Sequence, residues 1–361
     1  MRTAIRSSAR QRGVALIIVL IAILVLAVLA GGFARSMKVE TKLARNASYE
    51  TELEWMGRSG VELARYALGQ QLLITSEPYD SLNQKWAGGP GGIGTTNSPL
   101  ADLKLEDVEV GNGRFSVKIV DMERKFNVNL ANEPMLQQAL IVMGVDAAEA
   151  PTVVNSIIDW IDRDDMTRVS GAETDYYQAF NPPYVAKNGP VDDMAEVLLV
   201  KGVTPELFWG PACTNHSLAA FQTKGGQYDW AKTPPTFSAG LVDFFTPLSS
   251  GKLNINTASP TVLQMLPAID PNIAAEIVRL RAGLDGVDGT EDDTPLRNPG
   301  ELVNVGLNRQ VVQELFRYCD VRSRTFEVQV DAEISGYRRQ FVAVLGRNSA
   351  RDVQILSFYW R

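Results

Sequence analysis

"RQRGVALIIVLIAILVLAVLAGGFA", Arg10 to Ala34, decides how this 361-residue chain is to be read. Four arginines (Arg2, Arg6, Arg10, Arg12) precede a run from Val14 to Ala34 that holds no charged or strongly polar side chain. A bilayer-spanning helix needs roughly 20 such residues, whereas the apolar stretch of a cleaved secretory signal runs to about 7–15. The run is therefore expected to remain as a single membrane helix. With the basic residues gathered before it, the first residues are expected in the cytoplasm and everything beyond Arg35 outside.

The helical pattern continues past the apolar run. Val39, Leu43 and Ala47, then Leu53, Met56, Leu63, Ala64, Ala67 and Leu68, fall largely at three- and four-residue spacings, and Glu54 lies four residues before Arg58. One helix from Val14 to about Leu73 is predicted, apolar all round at first and amphipathic afterwards. At 1.5 Å per residue, roughly 60 residues reach about 90 Å, a membrane depth plus a stalk.

A Gly/Pro/Asn-rich loop at Ala87 to Pro99 follows, and then "RFSVKIVDM" alternates Phe115, Val117 and Ile119 against polar neighbours, the period of a half-buried strand. Its expected partners lie far away at Phe326–Ile334, Arg338–Arg347 and Val353–Arg361, with Ser335-Gly336 and Asn348-Ser349 as the turns between them. One strand before and three after imply a large insertion. The domain plan is thus a leader at 1–13, a membrane segment at 14–34 continuing as helix to about 73, a loop and first strand at 74–124, an inserted domain at 125–319 and closing strands at 320–361.

Within the insertion a pattern recurs. "KFNVNLANEPMLQQAL" at Lys125 matches "KLNINTASPTVLQML" at Lys252, with Asn127/Asn254, Asn129/Asn256 and Ala131/Ala258 in corresponding places. Ser259-Pro260, Asp270-Pro271 and Thr204-Pro205 each pair a capping residue with proline at the first helical position. Two related helical modules are expected, at about 125–210 and 252–319.

Two acidic stretches could carry chemistry. "DWIDRDDMTRVSGAETDYY" places Asp159, Asp162, Asp164, Asp165, Glu173 and Asp175 at the end of a helix and in the loop beyond it. A hard cation such as Ca²⁺ takes six to eight oxygens at about 2.3–2.6 Å, which suits such a loop, and without a cation the charges repel. The spacing is not that of an EF-hand, and a solvated acidic loop is the alternative. "DGVDGTEDDTP" offers a second candidate in Asp285, Asp288, Glu291, Asp292 and Asp293 around glycines that let carbonyls turn inward.

Composition narrows the function classes. The net charge of −7 argues against an extended phosphate-binding surface. Cys213 and Cys319 are compatible with one disulfide or with two buried thiols, and the single His216 reads as a loop residue. No zinc spacing, nucleophile elbow, phosphate loop or dinucleotide fingerprint is present, so the sequence gives no support to an enzyme. The helical hairpins invite a DNA-binding reading, but "LPAID" puts Ala268 and Asp270 where phosphate-binding glycines would be needed. A nucleic-acid partner is not expected.

The order of basic leader, glycine, long apolar helix, amphipathic continuation and sheet resembles the type IV pilin and pseudopilin class. The helical insertion with its two "NxNxA" segments and its "DWID-x-DD…GAE-x-DYY" stretch more closely resembles the K-type minor pseudopilins of type II secretion systems. The resemblance covers nearly the whole chain. It implies an α+β, pilin-like fold, a long transmembrane helix packed on a small antiparallel sheet, with an inserted α-helical domain of two SAM-like or helix-hairpin-helix-like modules. It also implies cleavage between Gly13 and Val14 by prepilin peptidase, methylation of the new amino terminus, and residence in the inner membrane with the bulk of the chain periplasmic. The implied partners are other minor pseudopilins, the major pseudopilin, the inner-membrane assembly platform, and secreted substrate or the outer-membrane secretin. The sequence departs from the pilin pattern at Val14, where phenylalanine is usual, and at Ile18, where most pilins carry the glutamate that neutralises a neighbour's amino terminus. Such a subunit suits the filament tip, which it would cap and help to nucleate. The competing expectation is a single-pass anchored binding protein with calcium-stabilised helical modules.

Overall fold

The computed structural model describes residues 9–92, 95, 97–213 and 237–361, with side chains from Ala15 onward. His216 and part of the glycine-rich loop (Ile93, Gly94, Thr96) lie outside the described residues, as do the side chains of Gly13 and Val14.

A single helix, α1 (Ala9–Gln71), spans 63 residues and ends two residues before the expected Leu73. Among its described side chains, from Ala15 on, the first half buries nothing: Leu16, Leu20, Leu24 and Leu29 are all more than half exposed, as a lipid-facing helix without its lipid should be. From Leu53 onward one face turns inward, and Leu53, Met56, Val61, Ala64, Ala67 and Leu68 are buried against a sheet. Two glycines set how closely the helix lies. A Cβ at Gly57 would come 2.5 Å from the Phe341 ring, and one at Gly60 would come 2.6 Å from Val330. No larger residue fits at that separation.

The sheet begins with β1 (Val108–Val110) and β2 (Gly113–Asp121). The chain then leaves for the insertion, in which β3 (Phe126–Asn127) leads to α2 (Glu133–Met143), α3 (Ala150–Ile161), α4 (Thr174–Tyr177), α5 (Pro205–Trp209) and α6 (Leu241–Phe244). The second half runs β4 (Phe245–Thr246), β5 (Leu253–Asn254), α7 (Pro260–Leu263), α8 (Pro271–Arg281), α9 (Arg309–Leu315) and β6 (Cys319–Asp320). β7 (Thr325–Ile334), β8 (Tyr337–Ser349) and β9 (Asp352–Trp360) complete the sheet in the order β1-β2-β7-β8-β9, antiparallel throughout.

The alternation read from the sequence matches this sheet: Phe115, Val117 and Ile119 are buried and face α1. Ser335 and Gly336 form the β7–β8 turn with φ of 51° and 83°, the left-handed pair that a two-residue hairpin requires. The second turn differs from expectation. Asn348 and Ser349 belong to β8, and Ala350-Arg351 makes the turn, closed by Asp352 N–H donating to Ser349 Oγ at 3.1 Å. The short edge strand β1 was also not expected; three residues are too few to show a period.

The insertion forms one core. Phe126, Leu140 and Trp160 from its first half and Leu263, Ile277 and Leu315 from its second belong to the same buried cluster, separate from the one beneath α1. The recurrent motif explains itself in hydrogen bonds. Asn127 and Asn254 each accept from the N–H two residues on, both at 2.9 Å, which tightens the turn out of β3 and β5. Asn129 then grips Val191 through both its amide groups, at 2.7 and 2.9 Å, and Asn256 grips Leu296 likewise, both at 2.9 Å. Each half closes with a parallel two-residue ladder, β3 to β4 and β5 to β6.

The insertion meets the sheet through buried polar groups. Asp121 accepts from Asn254 Nδ2 (3.0 Å), Thr257 Oγ1 (2.5 Å) and Ser323 Oγ (2.7 Å). Glu123 accepts from Ser250 N–H and Thr325 N–H, each at 3.0 Å. Arg347, paired with Asp80, also donates to the Leu68 carbonyl at 3.3 Å. This junction therefore lies at the level of Leu68. The opposite end of the sheet is marked by the ion pair between Arg339 and Glu50 at 2.8 Å. The insertion stands on the end of the sheet farther along α1 from its apolar half.

Candidate functional site

α3 is amphipathic, with Val153, Val154, Ile157 and Trp160 buried, so that Asp159 on the same face is carried inward and is fully buried. Its carboxylate accepts from the N–H groups of Arg168 (3.2 Å) and Ala172 (3.0 Å), curling residues 162–173 back over the helix end. The curl needs Gly171, where a Cβ would come 2.0 Å from Asp159 Oδ2, and it puts Ser170 at φ 66°. Lys201 Nζ donates to the carbonyls of Ser170 (3.1 Å) and Gly171 (2.9 Å), and Asn155 Nδ2 to that of Val169 (2.8 Å). The loop is thus held from three sides before any ligand is considered.

Inside it, Asp162, Asp164 and Glu173 converge, with one oxygen of each within 4.8 Å of the others. Glu173 is 4% exposed, and neither of its carboxylate oxygens has a hydrogen-bond partner. Asp162 Oδ1 is likewise buried and unpartnered. Burial, and then the charges of Asp159, Asp162, Asp165 and Asp164, push the Glu173 carboxyl up to about 7. Burial also raises Asp162, with the charges of Asp164 and Asp159 adding to it. Glu173 and Asp162 with their orphaned buried oxygens, and the exposed Asp164, whose Oδ1 accepts from Met166 N–H at 2.9 Å, fit a hard, oxygen-seeking cation, whose charge would remove the repulsion and whose coordination would satisfy the buried oxygens. Arg168 reaches part of the cluster, with Nε 3.5 Å from Asp159 and 3.8 Å from Asp162, but remains 45% exposed.

The other residues named for this loop do not converge. Asp165 Oδ1 accepts from Asn188 Nδ2 at 2.8 Å, and Asp175 is exposed in the first turn of α4. Sequence reading counted Asp159 as one more acid of the cluster, whereas its work is to shape the loop. Only the apolar stripe of α3, which includes its position, could have revealed that.

The second acidic loop is put together differently. Arg281, 3% exposed, closes α8 and turns into the loop, pairing with Asp288 at 2.7 and 2.9 Å and donating to the Ile255 carbonyl at 2.7 Å. Asp292 accepts from the N–H groups of Leu284 (2.6 Å) and Asp285 (3.0 Å), and Asp293 from that of Gly289 (2.8 Å). Asp285 accepts from Val287 N–H at 2.8 Å, and Glu291 points to solvent. These carboxylates are engaged one by one with an internal guanidinium and main-chain donors. Cys213 and Cys319 are separate thiols, the latter buried and donating to the Leu315 carbonyl at 3.2 Å.

A long apolar helix continues as the spine of a small antiparallel sheet, a pilin-like arrangement, and a large insertion lies between β2 and β7. Residues 113–209 match the family model for type II secretion system (T2SS) protein K. The type II secretion system protein K of Pseudomonas aeruginosa is 24% identical over 359 residues, covering 96% of this chain and 92% of that one. That of Aeromonas hydrophila is 22% identical, with 97% of both chains covered. The fold is shared with a chain of the GspK-GspI-GspJ complex from enterotoxigenic Escherichia coli, at a TM-score of 0.60 and 17% identity over 88% of this chain and 99% of that one. These matches, two of them over nearly the whole chain, support a minor pseudopilin of the protein K type of type II secretion systems.

Proposed function

We propose that this chain caps the tip of the type II secretion pseudopilus and nucleates it together with two smaller minor pseudopilins. The observation that carries the reading is the position of the insertion at the Leu68 end of the sheet, away from the apolar half of α1. A subunit stacked on that end would meet the inserted domain. Ile18, 61% exposed on the apolar helix, supports the same place: it offers no carboxylate to neutralise an amino terminus arriving from above. The similarity to a chain of the GspK-GspI-GspJ complex supports other minor pseudopilins as the partners. We read the two halves of the insertion, which share their asparagine turns and closing ladders, as related helix-hairpin-helix-like modules.

In this reading prepilin peptidase removes residues 1–13 on the cytoplasmic face, α1 remains in the inner membrane, and the sheet and insertion work in the periplasm. Asp162, Asp164 and Glu173 hold a Ca²⁺ ion that neutralises the loop after α3. Site-specific crosslinking from the apolar helix in assembled filaments tests the tip assignment. Crosslinks to minor pseudopilins on the lower side only, with a single copy per filament, are expected. Crosslinked dimers of this chain along the filament would overturn the assignment in favour of a repeating subunit. Intact-mass measurement of membrane-purified protein should show the loss of Met1–Gly13, and Gly13→Leu should leave the precursor whole.

A further inference from the structure

We propose that β9 is the edge onto which a strand of a second pilin-like subunit adds, continuing the sheet across the interface between neighbours at the tip. The inference rests on the assembly reading above. The two edges of the sheet are unequal. β1 closes one side with three residues, too short to template another chain. β9 closes the other with nine residues, "DVQILSFYW", that contain no proline, glycine or lysine and one charge at the very start. Proline, lysine and brevity are among the protections of an edge, and β9 has none of these three, although its pairing with β8 is irregular at Leu356. Its Ile355, Leu356, Tyr359 and Trp360 are between 41% and 62% exposed.

The register shows which main-chain groups are free. Arg361 N–H donates to the Gln340 carbonyl, so Arg361, Tyr359 and Ser357 turn their backbone groups toward β8. Phe358 and Trp360 therefore turn theirs outward. Beyond the irregularity at Leu356 the outward positions become Ile355 and Val353, and the Val353 carbonyl is already capped by Arg65 Nε at 2.8 Å. Among the described residues, three consecutive outward positions, Ile355, Phe358 and Trp360, are left without a strand. What satisfies such a row is another extended backbone, and what the exposed side chains select is an apolar strand.

The flank is prepared as well. Arg58 of α1 lies over the Phe358 ring at 5.2 Å, and Arg339, paired with Glu50 of α1, lies over Trp360 at 4.4 Å. A strand added here would run beside α1, the helix whose apolar half carries the chain into the membrane, so both contacts belong to one side of the subunit.

The full chain in detergent, alone and mixed with the two other minor pseudopilins of its own secretion system, provides the test by amide hydrogen exchange. In the complex, exchange at Phe358 and Trp360 should slow by about tenfold or more. The double variant Ile355→Lys/Trp360→Lys should melt as the parent does and bind the partners about tenfold more weakly or worse. A complex that forms while exchange across 352–361 is unchanged would overturn the inference and leave the tip reading standing, as would a double variant that binds at parental affinity. Protection that appears in the chain alone as its concentration rises would assign the edge to a second copy, contrary to the proposal. Failure to form any complex would remove both readings.

Discussion

The loops after α3 and α8 face the same electrostatic difficulty and meet it in different ways. Both helices carry a proline in the first turn, Pro151 and Pro271, and both end in an acidic loop. At the last helical position one has Ile161 and the other Arg281. That guanidinium gives the second loop a permanent internal cation, around which Asp285, Asp292 and Asp293 take main-chain donors. The first loop has no equivalent, and Glu173 and Asp162 are left with buried oxygens that nothing satisfies. Charge count does not separate the two loops; the placement of one side chain does. In one loop the neutralising charge is part of the chain, and in the other, on the reading proposed here, it is recruited.

The largest effect should come from removing the permanent cation. Arg281→Met strands the buried Ile255 carbonyl and takes the partner from Asp288, which is 24% exposed, so the loss should lie toward the lower end of the about 3–5 kcal/mol that breaking a buried pair from one side costs. Denaturant unfolding of the full chain in detergent should show a loss of that order, and Ca²⁺ should not restore it. A loss below about 1 kcal/mol would place Arg281 among the weak surface pairs and break the contrast.

Next in size is the recruited cation. A ligand at a hundredfold excess over its dissociation constant stabilises the folded state by about 2.7 kcal/mol, so the chain should melt higher in millimolar Ca²⁺ than in chelator. Glu173→Gln should abolish that shift, while Asp292→Asn in the other loop should leave it intact. A shift that survives Glu173→Gln and disappears with Asp292→Asn would reverse the assignment of the two loops.

The paired asparagines allow a finer comparison. Asn256 is buried and Asn129 partly exposed, although both hold a distant segment through two hydrogen bonds. Truncation leaves the N–H and carbonyl of Leu296 or Val191 without partners, at about 1–3 kcal/mol where water cannot enter. Asn256→Ala should therefore lower stability more than Asn129→Ala, by differential denaturant melts, and equal losses would mean that the two halves are packed alike.

These contrasts also mark how far the sequence could be read. The helix, the inner face of the sheet and the "NxNxA" repeat were legible because each is a local period or a recurrence: Phe115, Val117 and Ile119 alternate, and Asn127 acts on the residue two beyond it. The cap residues Ser259, Asp270 and Thr204 were legible for the same reason, and each accepts from the N–H three residues on. Arg281 was not, since nothing around it distinguishes an arginine that turns inward from one that faces water. The union of both halves of the insertion in one core was hidden too, because contacts between Gln138 and the Gln264 carbonyl leave no periodic trace. The acidic loop was visible as a cluster, but separating Asp162, Asp164 and Glu173 from Asp165 and Asp175 required the curl set by Asp159.

The smallest expected effect, and the one that discriminates most finely, is the pH dependence of the calcium shift. With the Glu173 carboxyl raised from its ordinary value to about 7, the folded chain in chelator keeps a proton that the unfolded chain has already released. Stability in chelator should therefore fall as pH rises from about 4.5 through about 7, because over that window the folded state binds more protons. Asp121, raised to about 7 by burial and by the charge of Glu123, adds a slope of the same sign, but it sits at the junction and accepts from Asn254, Thr257 and Ser323, with no part in the loop. The two contributions separate on addition of Ca²⁺. The ion competes with protons on the loop carboxylates, Glu173 foremost and Asp162 with it, and not with the one on Asp121, so the difference in melting temperature between Ca²⁺ and chelator should be small near about pH 5 and widen toward about pH 8. Glu173→Gln should remove that widening and retain the shallower slope due to Asp121. A calcium shift of equal size at both pH values would mean that the carboxylates holding the ion are ionised throughout the range, and Glu173 would have to be replaced as a ligand by one of the exposed acids, Asp165 or Asp175.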